Sequence, residues 1–89
     1  SIDPPVKIFS PRPSYTEEAR RAGIQGVVIL EAVVDADGSV RNVKVLKGLP
    51  LGLDQSAADA VMTWKYQPAM MEGKPVPVYF TFTISFSLT

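Results

Sequence analysis

Cysteine and histidine are both missing from this 89-residue chain. Without a thiol there is no thiolate nucleophile, no disulfide and no cysteine-based zinc cluster. Without an imidazole there is no His-centred triad and no His metal ligand. Net charge is lacking too, because nine basic and nine acidic residues cancel. That speaks against nucleic acid, whose binding draws largely on Lys and Arg neutralising phosphates. No apolar run approaches the roughly 18–20 residues that a membrane helix needs, and no signal peptide opens the chain. No glycine cluster of the phosphate-cradling kind is present. The carboxylates do not assemble a site either. Asp54 and Asp59 fall on one expected helix at a spacing that puts them on different faces. Asp35-Ala36-Asp37-Gly38 begins like a calcium loop, but Leu46 stands where the twelfth, acidic position belongs. No enzyme, metal or cofactor is expected.

What remains is a chain 46% hydrophobic and 20% charged, which describes one small globular domain. Its most informative stretch is the last. Val76, Val78, Phe80, Phe82, Ile84, Phe86 and Leu88 alternate with Pro77, Tyr79, Thr81, Thr83, Ser85 and Ser87. Strand side chains point to opposite faces in turn, so 76–88 reads as one long strand with a buried and a wet face. No charge follows Lys74. A long edge strand without Lys or Glu invites pairing with another chain.

Upstream, Pro4, Pro5, Pro11 and Pro13 make 1–13 the end of a proline-rich linker, with the domain proper over 14–89. Within the linker, Val6-Lys7-Ile8-Phe9 predicts a short N-terminal edge strand. Ser1-Ile2-Asp3 fits the end left by a cut that removed an anchor. Thr16 is an N-cap for a two-turn helix with Glu17 and Glu18 in its first turn, and Gly23-Ile24 closes it. Arg20 and Arg21 read as a solvated helix end. The β-branched run 27–34 is a strand. Asp35 to Gly38 turn the chain into a returning strand over 39–47, with Val40, Val43 and Val45 inward; their uneven spacing predicts a bulge. Asp54 caps a second helix whose stripe is Leu53, Ala57, Ala60, Val61 and Trp64, ended by Pro68. Trp64 and Tyr66 read as packing residues, the Tyr66 hydroxyl turned to water. Glu72-Gly73-Lys74-Pro75 reverses the chain into the last strand. The fold class is therefore α+β, in the order αββαβ: a three-stranded antiparallel sheet with two helices on one face.

On the first strand, Glu31 should face solvent, turning Val28, Leu30, Ala32 and Val34 inward. Val27, Ile29 and Val33 then share the open face with Glu31. An open face of this kind is usually polar. Cover by residues 6–9, or self-association, is the favoured explanation. A sheet that stacks RNA bases is disfavoured, since Phe80, Phe82 and Phe86 are needed for the core.

The run Leu53-Asp54-Gln55-Ser56-Ala57-Ala58-Asp59-Ala60-Val61-Met62-Thr63-Trp64-Lys65-Tyr66-Gln67-Pro68-Ala69, followed by Gly73-Lys74-Pro75-Val76, resembles the TonB C-terminal domain family. A helix leads into tryptophan, a basic residue, an aromatic residue and then proline; a Gly-Lys-Pro-Val turn precedes the last strand. Tyr15, Gly23-Ile24-Gln25-Gly26-Val27 and Val34-Asp35-Ala36-Asp37-Gly38 match as well. The resemblance implies the periplasmic domain of an energy transducer, anchored in the inner membrane by a segment absent from this chain and driven by ExbB–ExbD. Such domains grip the TonB box, a short peptide of an outer-membrane transporter, as an extra strand beside their last strand. Carried onto this sequence, the partner-binding residues are Tyr79, Phe80, Thr81, Phe82, Thr83, Ile84 and Ser85. Arg12, Pro13, Ser14 and Tyr15 join them, at the place of a Gln-Pro-x-Tyr-Pro motif. Here arginine stands for the glutamine, and Thr16 for the second proline. Strand exchange between two copies through the same edge is a further expectation. The runner-up is a periplasmic scaffold domain on another anchor, without energy transduction.

Overall fold

The β-branched run that follows Gly26 becomes the centre of the molecule. In the computed structural model, which describes residues 1–89, ten strands and helices succeed one another. They are β1 (Ile2–Asp3), β2 (Val6–Phe9), α1 (Glu17–Arg21), β3 (Gly26–Val34), β4 (Val40–Lys47), α2 (Leu53–Met62), β5 (Lys65–Gln67), β6 (Ala69–Met71), β7 (Lys74–Val76) and β8 (Val78–Phe86). The main sheet is antiparallel with strand order β4-β3-β8. Val28, Leu30, Ala32 and Val34 on β3 are buried against Ala19 of α1 and Leu53, Ala57 and Val61 of α2, so both helices cover one face. Each fully buried aliphatic side chain contributes roughly 1.5–3 kcal/mol. The core is therefore the common support of everything at the sheet's edges.

The first helix follows its local code. Thr16 Oγ1 accepts from Ala19 N–H at 3.2 Å. At the other end Gly23 takes φ 71°, and the Ile24 N–H reaches back to the Ala19 carbonyl. Arg20 and Arg21 lie exposed and pair with Glu17. The second helix departs from expectation at both ends. Its N-cap is Gly52, in the left-handed conformation, while Asp54 sits inside the first turn. It stops at Met62, six positions short of Pro68, because Trp64 and Tyr66 are drawn into the core and Lys65–Gln67 forms a strand.

The final strand is also shorter than its pattern. Glu72 and Gly73, both at positive φ, make a two-residue hairpin turn between β6 and β7. Pro77 then separates β7 from β8. Leu88 lies beyond the strand and is exposed. On β4, Val40 is buried and Val43 packs on the core, but Val45 is 38% exposed. The expected irregularity is there: the β3–β4 register slips at two places, and Asn42 adopts φ 57°.

Residues 6–9 do form a strand, but not over the open face. β2 pairs antiparallel with β5, setting Lys7 opposite Tyr66, while β1 pairs with β6. The open-face positions Val27, Ile29 and Val33 instead have Thr and Ser, with Tyr79, opposite them on β8. On β4, Ile29 and Val33 face Lys47 and Arg41. Long stems of such residues can shade apolar neighbours while their heads stay wet.

Candidate partner-binding edge

Alternation along β8 does two jobs. Phe82, Ile84 and Phe86 are buried, whereas Tyr79, Thr81, Thr83 and Ser85 stay exposed. The register with β3 runs unbroken from Gly26 opposite Phe86 to Val34 opposite Val78. On its other flank β8 is hydrogen-bonded to no strand. Alternate residues of such an edge turn both N–H and C=O outward. The nine residues of β8 contain no Asp, Glu, Lys or Arg.

The aromatic side chains beneath that edge form a connected floor. Trp64 meets Phe82 edge-on at 5.8 Å, Tyr66 meets Phe80 at 5.8 Å, and Phe80 meets Phe82 at 5.2 Å. Beside them opens a hollow of about 240 Å³ bounded by Lys7, Trp64, Tyr66 and β8 from Phe80 to Ile84. A second hollow of about 340 Å³ adjoins it, with Lys7, Arg12 and Trp64 facing Thr83 and Ser85. The edge thus looks into a trough whose far wall is the N-terminal segment.

Contacts over long sequence separation hold that wall. Trp64 Nε1 donates to the Pro11 carbonyl at 2.8 Å. Lys7 Nζ lies over the Trp64 ring, 5.0 Å from its centroid, a cation–π arrangement. The Ser56 hydroxyl donates to the Ser14 carbonyl. Thr16 Oγ1 donates to the Leu51 carbonyl at 2.7 Å. Tyr15 packs edge-on against Phe86 and donates its hydroxyl to the Ile24 carbonyl.

The two groups of sequence-assigned site residues therefore differ in what they can offer. Tyr79 to Ser85 lie together on the free edge, although Phe82 and Ile84 offer only backbone, since their side chains are in the core. In the other group, Arg12 and Ser14 are exposed, Pro13 is half-buried, and Tyr15 is occupied in packing. Arg12 and Pro13 border the trough; Ser14 and Tyr15 do not. Sequence reasoning missed Lys7, Trp64 and Tyr66 as walls of the trough, and an edge without charged neighbours does not describe the molecule. Only the strand propensity of 6–9 hinted at Lys7, and nothing local to it told which strand it would meet.

Tyr66 is a second correction. Its hydroxyl is buried without a hydrogen-bond partner, not turned to water. Burial pushes its phenol above the ordinary value, so it is neutral at physiological pH. In the β3–β4 turn, whose Gly38 carbonyl accepts from the Tyr66 N–H, Asp37 accepts from the Ser39 hydroxyl at 2.6 Å and the Ser39 N–H at 2.9 Å. Those bonds hold its carboxyl below the ordinary 3.8. Asp35 pairs with Arg41. The acidic pair in this turn is thus engaged in turn chemistry. Gly38 (φ 86°) is required there, because a Cβ would lie 1.9 Å from the Tyr66 carbonyl oxygen.

Comparison with known proteins agrees with the geometry. The family model described as Gram-negative bacterial TonB protein C-terminal matches residues 11–88. The TonB protein of Xanthomonas campestris is 38% identical over 99% of this chain, and that of Vibrio cholerae 34% over 98%. The chain spans only 40% and 36% of the length of these relatives. Among solved structures, the Pseudomonas aeruginosa TonB C-terminal domain aligns over 94% of this chain and 86% of its own, with a TM-score of 0.78 at 25% identity. The Helicobacter pylori domain aligns over 86% of this chain and 70% of its own, with a TM-score of 0.61 at 25% identity. Sequence and fold together place the chain in the family of Gram-negative bacterial TonB protein C-terminal domains.

Proposed function

We propose that this domain is the partner-gripping end of a TonB-type energy transducer, working in the periplasm. It holds the TonB-box peptide of an outer-membrane transporter as an added strand along β8. The observation that carries the reading is the flank of β8, which no strand of the chain occupies. Strand addition draws its affinity from main-chain hydrogen bonds and its selectivity from alternate side chains. Here Tyr79, Thr81, Thr83 and Ser85 are the exposed alternate residues. About five to seven bonds at roughly 0.5–1.5 kcal/mol net give several kcal/mol. Ordering a flexible guest offsets part of that, which sets the expected affinity in the micromolar range. Coupling to an ExbB–ExbD motor and anchoring in the inner membrane are assigned to residues outside these 89, since the relatives are more than twice as long. The same edge admits a second copy of the chain, so self-association is expected at high concentration.

The test is an NMR titration of the ¹⁵N-labelled chain with peptides from transporter N-termini. Amide shifts confined to β8 and its neighbours are the expected result. Shifts confined to the exposed side of α2, with β8 silent, would overturn the reading.

A further inference from the structure

Resting on the strand-addition reading, we infer that Gln25 is a positioning residue of the binding edge: its side-chain carbonyl replaces the next rung of the β3–β8 ladder and carries the receptive edge past Phe86 to Ser87.

The ladder closes with Gly26 opposite Phe86. Continued in the same register, it would set Ile24 opposite Leu88. Ile24 does not serve there, because its main-chain groups are engaged elsewhere. Its N–H donates to the Ala19 carbonyl at 3.0 Å, closing α1, and its carbonyl accepts from the Tyr15 hydroxyl. No main-chain hydrogen bond joins residues 87–89 to β3. The Leu88 N–H instead donates to Gln25 Oε1 at 2.8 Å, and the Ser87 hydroxyl stands 3.5 Å from the same oxygen. A side-chain amide thus takes the place of a strand carbonyl.

That bond also fixes which residues face outward. Alternate residues of a strand turn their N–H and C=O toward the same neighbour. Leu88 faces β3, so Phe86, Ile84, Phe82 and Phe80 do as well, while Tyr79, Thr81, Thr83, Ser85 and Ser87 face away. The other side of β3 agrees. The Asp35 N–H donates toward β4, to the Ser39 carbonyl at 2.8 Å, which leaves the even-numbered residues of β3 to bond the even-numbered residues of β8. Ser87 is exposed and extends the outward row that ends in β8 at Ser85. Gln25 keeps it in line with the others. Released from Gln25, residues 87–89 would have no bond along β3, and the usable edge would stop at Ser85.

The experiment uses the ¹⁵N-labelled chain and capped peptides of Thr, Val and Ala in two lengths, about seven and about nine residues, to match an edge ending at Ser85 or at Ser87. The longer peptide should bind the parent chain about threefold to tenfold tighter than the shorter one. In Gln25→Ala that gain should vanish, with affinity for the shorter peptide unchanged. Gln25→Glu, which keeps an acceptor for the Leu88 N–H, should restore it. Amide exchange at Leu88 should quicken in Gln25→Ala and recover in Gln25→Glu, while Phe82 and Ile84 stay protected in both. A mere loss of stability would weaken both peptides alike and would not be rescued by length. A length gain that persists in Gln25→Ala, or a Leu88 amide that exchanges equally fast in parent and variant, would overturn the role of Gln25. Equal affinity of the parent for both lengths, with β8 amides still shifting, would overturn the extension to Ser87 and leave strand addition standing. Silent β8 amides with every peptide would overturn strand addition itself, and this inference with it.

Discussion

The main sheet has two edges, and they are built differently. β4 carries Arg41, Lys44 and Lys47, slips register against β3 at two places, and has Asn42 at positive φ. These are the devices by which a strand refuses a new neighbour: charge, bulge and local twist. β8 carries no charge and holds one register for its full nine residues. Both strands lean on the same partner and the same core, so core stability does not distinguish them. The difference lies in what each outer flank would require of an incoming chain: β4 opposes one with charge and register slips, and β8 does not.

The sharpest way to break this contrast is proline. Placed in turn at Thr83 and Ile84, it removes an N–H from β8, outward at one site and toward β3 at the other. The outward substitution should weaken peptide binding about a hundredfold or more while the core still folds. The inward one should unfold the domain. Proline at Lys44 on β4 should leave peptide affinity unchanged in whatever fraction folds. Fluorescence anisotropy with a labelled peptide, beside circular dichroism, reads both outcomes.

A milder change exports the defence of β4 to β8. Thr83→Lys should lower affinity for a peptide several-fold and suppress self-association, with thermal stability within about 0.5 kcal/mol of the parent. Lys44→Thr on β4 should create no new binding, because the register slips remain. Analytical ultracentrifugation and the same anisotropy assay test the pair.

Two smaller effects compare Tyr66 with the turn its backbone meets. On the trough side, the Tyr66 hydroxyl is buried and unpartnered. Tyr66→Phe should therefore be neutral or stabilising by up to about 1 kcal/mol in urea unfolding. At the β3–β4 turn the polar groups are well served, and the sign reverses. Asp37 titrates below 3.8 when folded. Its contribution is fully present above that value and is lost as pH falls through the depressed one. Asp37→Asn should flatten this part of the stability profile below the ordinary carboxylate value of 3.8, with little change in peptide binding.

Local chemistry was legible in the sequence. The Thr16 cap, the Gly23-Ile24 closure, the inward face of β3 and the alternation of β8 all depend on residues within a few positions of one another. What escaped depends on distant meetings. The early end of α2 reflects the burial of Trp64 and Tyr66 in a core supplied by β3 and β8. The Gly52 cap belongs to a loop bonded to Thr16. The candidate site was half visible for the same reason: the free edge is a pattern, whereas its facing wall is set by Trp64 holding a carbonyl 53 positions away. The departure of Tyr66 from a wet hydroxyl follows from another distant meeting, its ring packing against Phe80 and Phe82 of β8.

That wall is fastened unevenly. β1 has two rungs to β6 and β2 has three to β5, against nine between β3 and β8. Tension applied through the N-terminal segment would meet the short ladders first and peel them, well before the central sheet yields. Peeling would draw Lys7 off Trp64 and widen the trough. A pull from upstream would thus open the trough beside β8 while leaving β8 itself in the sheet.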